Sequence, residues 1–265
     1  MLDISMATPL SSALGVVIPN FDVHADLSDT DGEKLRSMLA RHHLILFPDL
    51  SLSSAENRRL LEIFGPVKDE FHDGSYSSLV QNRISPDSDE GEEVIYHCDY
   101  SFLPDPVQVV SLYGMHIPGV CATTRFANGV RACRTLPADL RARLGDKWVL
   151  HASDVTESHP ISSGRLTAAD LEKKEFRGTL HPAILTHPRT GDEVLFINEY
   201  LSVRVEGLSR VESELLLSAA FAHLYAPNNV YEHHWRQGDL IVFDNIALTH
   251  KREKGAPRTL RRMIA

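Results

Sequence analysis

The sequence predicts a strand-rich α+β protein, folded as a sandwich or barrel rather than as a parallel doubly wound sheet. Short apolar runs separated by turn residues recur along most of the chain. Helical periodicity is confined to the N-terminal part and a few insertions, so strands and helices do not alternate as βαβ units. Neither GxGxxG nor GxxxxGK followed by Ser or Thr occurs, which speaks against dinucleotide or nucleoside triphosphate binding.

In chain order, LSDTDGEKLRSMLARHH (27–43) opens with Ser, Asp and Thr cap candidates, and Leu35, Met38 and Leu39 recur at helical spacing. LILFPDL (44–50) is an apolar strand stopped by Pro48. A second helix is expected over 53–65, capped by Ser53 or Ser54 and closed by Gly65. Residues 79–84 read as a strand and 85–93 as an acidic, breaker-rich loop. VQVVSLYGM (107–115) alternates as a strand, and helical signals return over 127–145. The polar stretch 155–178 is the candidate lid or insertion. In THPRTGDEVLFINEY (186–200), Pro188 and Gly191 mark a turn between extended segments. A helix is expected in 209–225, and the remainder is extended again.

A chain of 265 residues can bury a substantial core, and it is read as a single domain over 1–265. The apolar fraction of 43% and charged fraction of 24% are ordinary for a soluble globular protein. The net charge of −9 disfavours nucleic acid as the main partner, while leaving room for a small anion held by local arginines. No run of about 18 apolar residues suggests a membrane span, and no secretory signal is expected. The cysteines at 98, 121 and 133 make no CxxC pair, which suits a reducing, cytoplasmic setting and no thiolate metal site. Homo-oligomerisation is left open.

The chemistry centres on YHCDYSF (96–102). Taken as extended, it places His97 and Asp99 on one side and Tyr96, Cys98 and Tyr100 on the other. One imidazole and one carboxylate are two-thirds of a 2-His-1-carboxylate triad, a set that suits non-haem Fe(II) and leaves coordination positions open. The pair alone reads equally as an ordinary hydrogen bond beside an acidic loop. A third ligand is offered by GDLIVFDNIALTH (238–250), where His250 ends an extended piece after the Asp244–Asn245 break. His250 also fits a capping or surface role, and its basic neighbours Lys251 and Arg252 would favour its neutral form. In PRTLRRMIA (257–265), Arg258 and Arg262 share a strand face and Arg261 takes the other. Such a pair suits a carboxylate clamp, and equally a solvated tail.

These motifs together resemble the taurine dioxygenase-like (TauD/TfdA) family of Fe(II)/2-oxoglutarate-dependent dioxygenases, from about residue 8 to the C-terminus. The resemblance runs through the opening helix, strand and helix ending in FG, then IYHCDYSFLPDPVQVVSLYGMHIP, CATTRFANGVRACRTLP, the HPxTG of 187–191, GDLIVFDNIALTH and the R-x-L-x-R ending. It implies a double-stranded β-helix, a jelly-roll, cupin-like barrel with flanking helices. It implies Fe(II) on His97, Asp99 and His250, 2-oxoglutarate as cosubstrate held by Thr124 and Arg258, and dioxygen as oxidant. Arg262 would meet substrate or cosubstrate, and Phe102 would line the substrate pocket.

The stretch from His250 to Arg258 is shorter than the family's, which keeps Arg261 open as the clamp, with strand parity favouring Arg258. Substrate candidates are His72, Tyr76, Asn82 and Tyr100, and Arg262 suggests a small anion. The implied reaction is hydroxylation of a C–H bond, with succinate and CO₂ released. Because a carboxylate stands at Asp99 where halogenating relatives carry a small residue, chlorination is not expected. The main alternative is a non-catalytic cupin-like metal protein that binds a small molecule. That protein would have no need of Arg258 and Thr124; a zinc hydrolase could use His97, Asp99 and His250 without the arginine clamp, and an interaction domain would lose only stability on His97→Ala.

Overall fold

The computed structural model describes residues 5–81, 91–155, 164–173 and 175–265. Two sheets, antiparallel except where Val16–Val17 pairs parallel with Leu44–Phe47, face each other across the main core. The larger runs in the order Thr8–Pro9, Val16–Val17, Leu44–Phe47, Leu240–Asp244, Val109–His116, Thr259–Ile264, Ser78–Gln81. The smaller runs Val230–His233, Thr124–Asn128, Leu248–Arg252, Val94–His97. From Leu44–Phe47 onward in the larger sheet, and throughout the smaller, neighbouring strands alternate between the two halves of the chain, as in a jelly roll. A three-stranded sheet (Ser202–Val205, Trp148–Ser153, Arg177–Pro182) and the hairpin Ile184–Thr186 with Glu193–Leu195 flank the barrel.

Strand alternation sorts the apolar residues into layers. Leu44, Leu46, Val110, Leu112, Ile241, Phe243, Leu260 and Ile264 point between the sheets, where Phe126, Leu248 and Trp235 meet them. Their neighbours Ile45, Phe47, Val109, Tyr113, Leu240, Val242 and Met263 face outward, onto Leu35 and Leu39 of helix Asp29–His42 and Leu60 and Leu61 of helix Ser54–Leu61. The central strands therefore read as continuous apolar runs, because both faces are covered. Each such side chain contributes about 1.5–3 kcal/mol by leaving water.

The helices start where the sequence marks them. Ser28 caps Asp29–His42 with Asp31 returning to its backbone, and Ser53 with Glu56 and Ser209 with Glu212 close the same reciprocal box for Ser54–Leu61 and Arg210–Leu224. The first helix stops at His43, whose φ of 63° takes the left-handed cap. Gly238, at φ +87°, makes the turn before Leu240–Asp244, and a Cβ there would stand 2.7 Å from the Leu50 carbonyl.

Several boundaries differ from the sequence expectation. The second helix ends at Leu61 and continues to Gly65 only as turns. Residues 127–145 hold two short helices, Gly129–Arg134 and Ala138–Leu144, interrupted by Pro137, and the strand Thr124–Asn128 takes their first residues. Trp148–Ser153 and Arg177–Pro182 are paired strands, the latter beginning inside the stretch read as a lid. Residues 156–163 and 174 of that stretch, and 82–90 of the acidic loop with Asn82, lie outside the described residues. No helix among the described residues is long and apolar enough to cross a membrane.

Candidate active site

His97 ends the strand Val94–His97, and His250 lies directly opposite it in register on Leu248–Arg252. Paired positions on neighbouring strands put both side chains on one face, and the ring centroids stand 4.0 Å apart. His97 Nδ1 donates to the Ile95 carbonyl at 2.9 Å, which leaves Nε2 as the free lone pair. His250 packs among Phe126 and Phe243, and burial pushes its pKa down to about 3. It is therefore neutral and ready to ligate at physiological pH. Burial dominates this shift, followed by His97, with Arg262 and Arg258 adding to it; Lys251 and Arg252 are not among the causes.

YHCDYSF is extended only as far as His97. Cys98–Ser101 is a turn, closed by the Ser101 N–H donating to the Cys98 carbonyl at 3.2 Å, and Tyr100 sits at φ 59°. The turn still returns Asp99 to His97, with Asp99 Oδ1 3.4 Å from His97 Nε2 and 3.9 Å from His250 Nε2. Asn245 replaces the missing strand partner. Its side chain accepts from the Asp99 N–H at 3.0 Å and donates to the Asp99 and Val107 carbonyls at 2.9 and 2.7 Å. Asn245 is held in turn by Asp244, whose Oδ1 caps the Ile246 and Ala247 N–H groups. His187 and Arg189 of the HPxTG segment grip Asp244 at 3.0 and 2.6 Å. The sequence reading took Asn245 only as part of a strand break and gave His187 no role beyond its place in the HPxTG segment. Adjacent Asp-Asn and HPxTG were the available signals, but their partners lie too far along the chain for local pattern to pair them.

Among the described residues, His97, Asp99 and His250 bring ligand atoms within 4.8 Å of one another. Burial alone would raise the Asp99 carboxyl; the Arg262 guanidinium, then the two histidines, hold it well below the usual range. Two imidazoles and one ionised carboxylate form a donor set suited to Fe(II).

The three residues border a cavity of about 140 Å³ that Thr124, Arg258 and Arg262 also line. Arg258 Nε donates to the Ala122 carbonyl at 2.6 Å, and its Nη2 donates to Thr124 Oγ1 at 2.8 Å. Trp235 Nε1 donates to the same hydroxyl at 3.0 Å. Arg258 Nη1 is buried with no hydrogen-bond partner among the described residues. A buried unpaired guanidinium donor is costly, and its position at the cavity suits an acceptor supplied by a bound carboxylate. Burial lowers the Arg258 pKa to about 10, so it stays charged near neutrality. Arg261 leaves the strand on the opposite side, donating to Asn57 Oδ1 at 3.1 Å and to the Leu52 and Ser53 carbonyls at 2.9 and 3.1 Å. It anchors the second helix and does not reach the cavity.

The other candidates are dispersed. Phe102 is buried with its ring 5.8 Å from that of Tyr100 and is not part of the cavity wall. The Tyr100 hydroxyl donates to Glu70. His72 is exposed, and Tyr76 carries the Arg58 guanidinium 3.6 Å over its ring. Arg262 donates through Nε to Ser78 at 3.3 Å, through Nη1 to Asp99 Oδ2 at 2.6 Å and through Nη2 to Glu70. Glu70 was not singled out in the sequence, where it stands in an unremarkable polar stretch.

A jelly roll with a 2-His-1-carboxylate cluster at its mouth and a buried arginine behind it defines the class of non-haem iron, 2-oxoglutarate-dependent dioxygenases. Residues 7–264 match the model of the taurine catabolism dioxygenase TauD, TfdA family, and the chain belongs to that family. It is 27% identical to the (S)-phenoxypropionate/alpha-ketoglutarate-dioxygenase of Sphingobium herbicidovorans, over 92% of this chain and 87% of that one. It is 24% identical to the alpha-ketoglutarate-dependent 2,4-dichlorophenoxyacetate dioxygenase of Cupriavidus pinatubonensis, over 97% and 96% of the two chains. The fold is shared with a taurine dioxygenase from Burkholderia xenovorans, at 22% identity and a TM-score of 0.79 over 97% and 89% of the chains.

Proposed function

We propose that this enzyme uses Fe(II), held by His97, Asp99 and His250, and 2-oxoglutarate to hydroxylate a C–H bond of a small organic substrate, releasing succinate and CO₂. The observation that carries this reading is the cluster of three ligand atoms within 4.8 Å beside a buried arginine with one donor unmet. A metal protein that only binds a small molecule would leave the Arg258–Thr124 pair without a task.

When bound, iron with 2-oxoglutarate supplies the means to activate dioxygen for C–H oxidation. The chain's own share is placement. His97 and His250 offer nitrogen donors, and Asp99 offers one oxygen while Arg262 holds the other. Arg258 and Thr124 would receive the distal carboxylate of 2-oxoglutarate through Nη1 and the hydroxyl. Leu112, Leu260 and Val80 give that part of the cavity apolar walls, which limit water.

The sequence suggested an anionic substrate on the strength of Arg262. The names of the two relatives, which specify aryloxy acids, support a substrate of that kind. The test is a substrate screen scored by succinate formation with Fe(II), ascorbate and 2-oxoglutarate, with His97→Ala and Asp99→Ala as controls. Succinate tied to substrate in the wild type alone supports the reading. Substrate turnover without 2-oxoglutarate, or undiminished in both variants, overturns it.

A further inference from the structure

We infer that Glu70 is a built-in counter-ion for Arg262 and sets the charge selectivity of the substrate end of the cavity: the group presented to Arg262 is uncharged. This rests on the proposed function and departs from it in one respect: an anionic group on the substrate would be met elsewhere than at Arg262.

Each of the three guanidinium nitrogens has an acceptor. Nε is on the Ser78 hydroxyl, Nη1 on Asp99 Oδ2 and Nη2 on Glu70. Two carboxylates therefore meet one cation, and both ends of the Glu70–Arg262 pair are mostly withdrawn from water, at 10% and 15% side-chain exposure. The Tyr100 hydroxyl donates to the same Glu70 oxygen. An arriving anion would find every Arg262 nitrogen already on an acceptor, with the Glu70 charge beside it, in a site where solvent screens poorly.

Glu70 is placed there by the backbone. The Lys68 N–H donates to the Ile264 carbonyl at 2.9 Å, pinning the segment to the strand that carries Arg262. On the other side, Asp69 accepts from the Gly74 and Asp73 N–H groups at 2.9 and 3.3 Å, closing the turn that follows. A flexible surface acid that drifted onto an arginine would have neither anchor. The contrast with Arg258 supports the assignment: that arginine has one buried nitrogen without a partner, whereas each Arg262 nitrogen has one. One arginine is arranged to take an anion, and the other has its anion already.

The test uses inorganic sulfate as the probe, titrated calorimetrically into protein loaded with Mn(II) and the inert 2-oxoglutarate analogue N-oxalylglycine, so that Arg258 is filled. Glu70→Gln keeps the shape and removes the charge. Sulfate is expected to bind E70Q at least about tenfold more tightly than the wild type. Adding Arg262→Gln to E70Q is expected to abolish that gain. Glu70→Asp, which draws the carboxylate back by one methylene, is expected to fall between wild type and E70Q and serves if E70Q does not fold. Equal sulfate affinity in the wild type and the Glu70 variants, or no binding in any of them, overturns the counter-ion. Failure to take up Mn(II) and N-oxalylglycine overturns the proposed function instead, so the two failures are read separately.

Discussion

Arg258 donates to the Thr124 hydroxyl at 2.8 Å, and the two side chains, 134 residues apart in sequence, together form the far wall of the cavity. The Trp235 indole donates to the same oxygen. The wall is thus preorganised before any cosubstrate arrives, and its one unmet donor, Arg258 Nη1, defines where a carboxylate belongs.

Removing that donor set should act on cosubstrate affinity. Arg258→Gln is expected to raise the KM for 2-oxoglutarate by at least about 30-fold, since losing one partner of a buried charge-assisted pair costs about 2 kcal/mol or more. Succinate formation measured against 2-oxoglutarate concentration checks it. An unchanged KM would remove Arg258 from the clamp.

Arg261 should behave in the opposite way. Its loss leaves Asn57 Oδ1 and the Leu52 and Ser53 carbonyls without their donor, at the start of the second helix. Arg261→Leu is expected to destabilise the fold by about 2–4 kcal/mol with the KM for 2-oxoglutarate within about twofold of wild type. Urea unfolding alongside the kinetic assay separates the two arginines.

Asn245 is not part of the cavity wall, yet its side chain holds the Asp99 turn through two hydrogen bonds and ties it to the Val107 carbonyl through a third. Asn245→Ala is expected to weaken metal binding about 10- to 100-fold, in the range seen when the groups that orient ligands are lost. Competition for Mn(II) against a chelating indicator measures this directly. Metal affinity equal to wild type would reduce Asn245 to a structural turn residue.

A pH effect should come from His151, which has no exposed surface and lies between Ser101 at 3.0 Å and Ser202 at 3.4 Å, behind the same turn. Burial pushes its pKa down to about 3. In the unfolded chain it titrates near about 6.5. Between these values the unfolded chain holds the extra proton, so this contribution is complete above about pH 6.5 and is lost as pH falls toward 3. The slope is at most about 1.4 kcal/mol per pH unit. Denaturant unfolding of the metal-free protein between about pH 4 and 7 should show a steeper loss for wild type than for His151→Gln. Identical slopes would mean that His151 protonates without penalty.

The sequence by itself determined the strand-rich class, the three helix starts and the short list of ligand types. These are local: Ser28 with Asp31, Ser53 with Glu56 and Ser209 with Glu212 lie within one turn, and strand parity alone separates Arg258 and Arg262 from Arg261. What only the tertiary structure decided is which side chains occupy one another. Asp99 bends out of the extended course because Asn245, 146 residues later, satisfies its backbone better than a strand partner could. Glu70 reaches Arg262 across 192 residues because Lys68 is hydrogen-bonded to the same strand. Such pairings depend on which strands become neighbours when the two sheets close, and no periodicity along the chain records that.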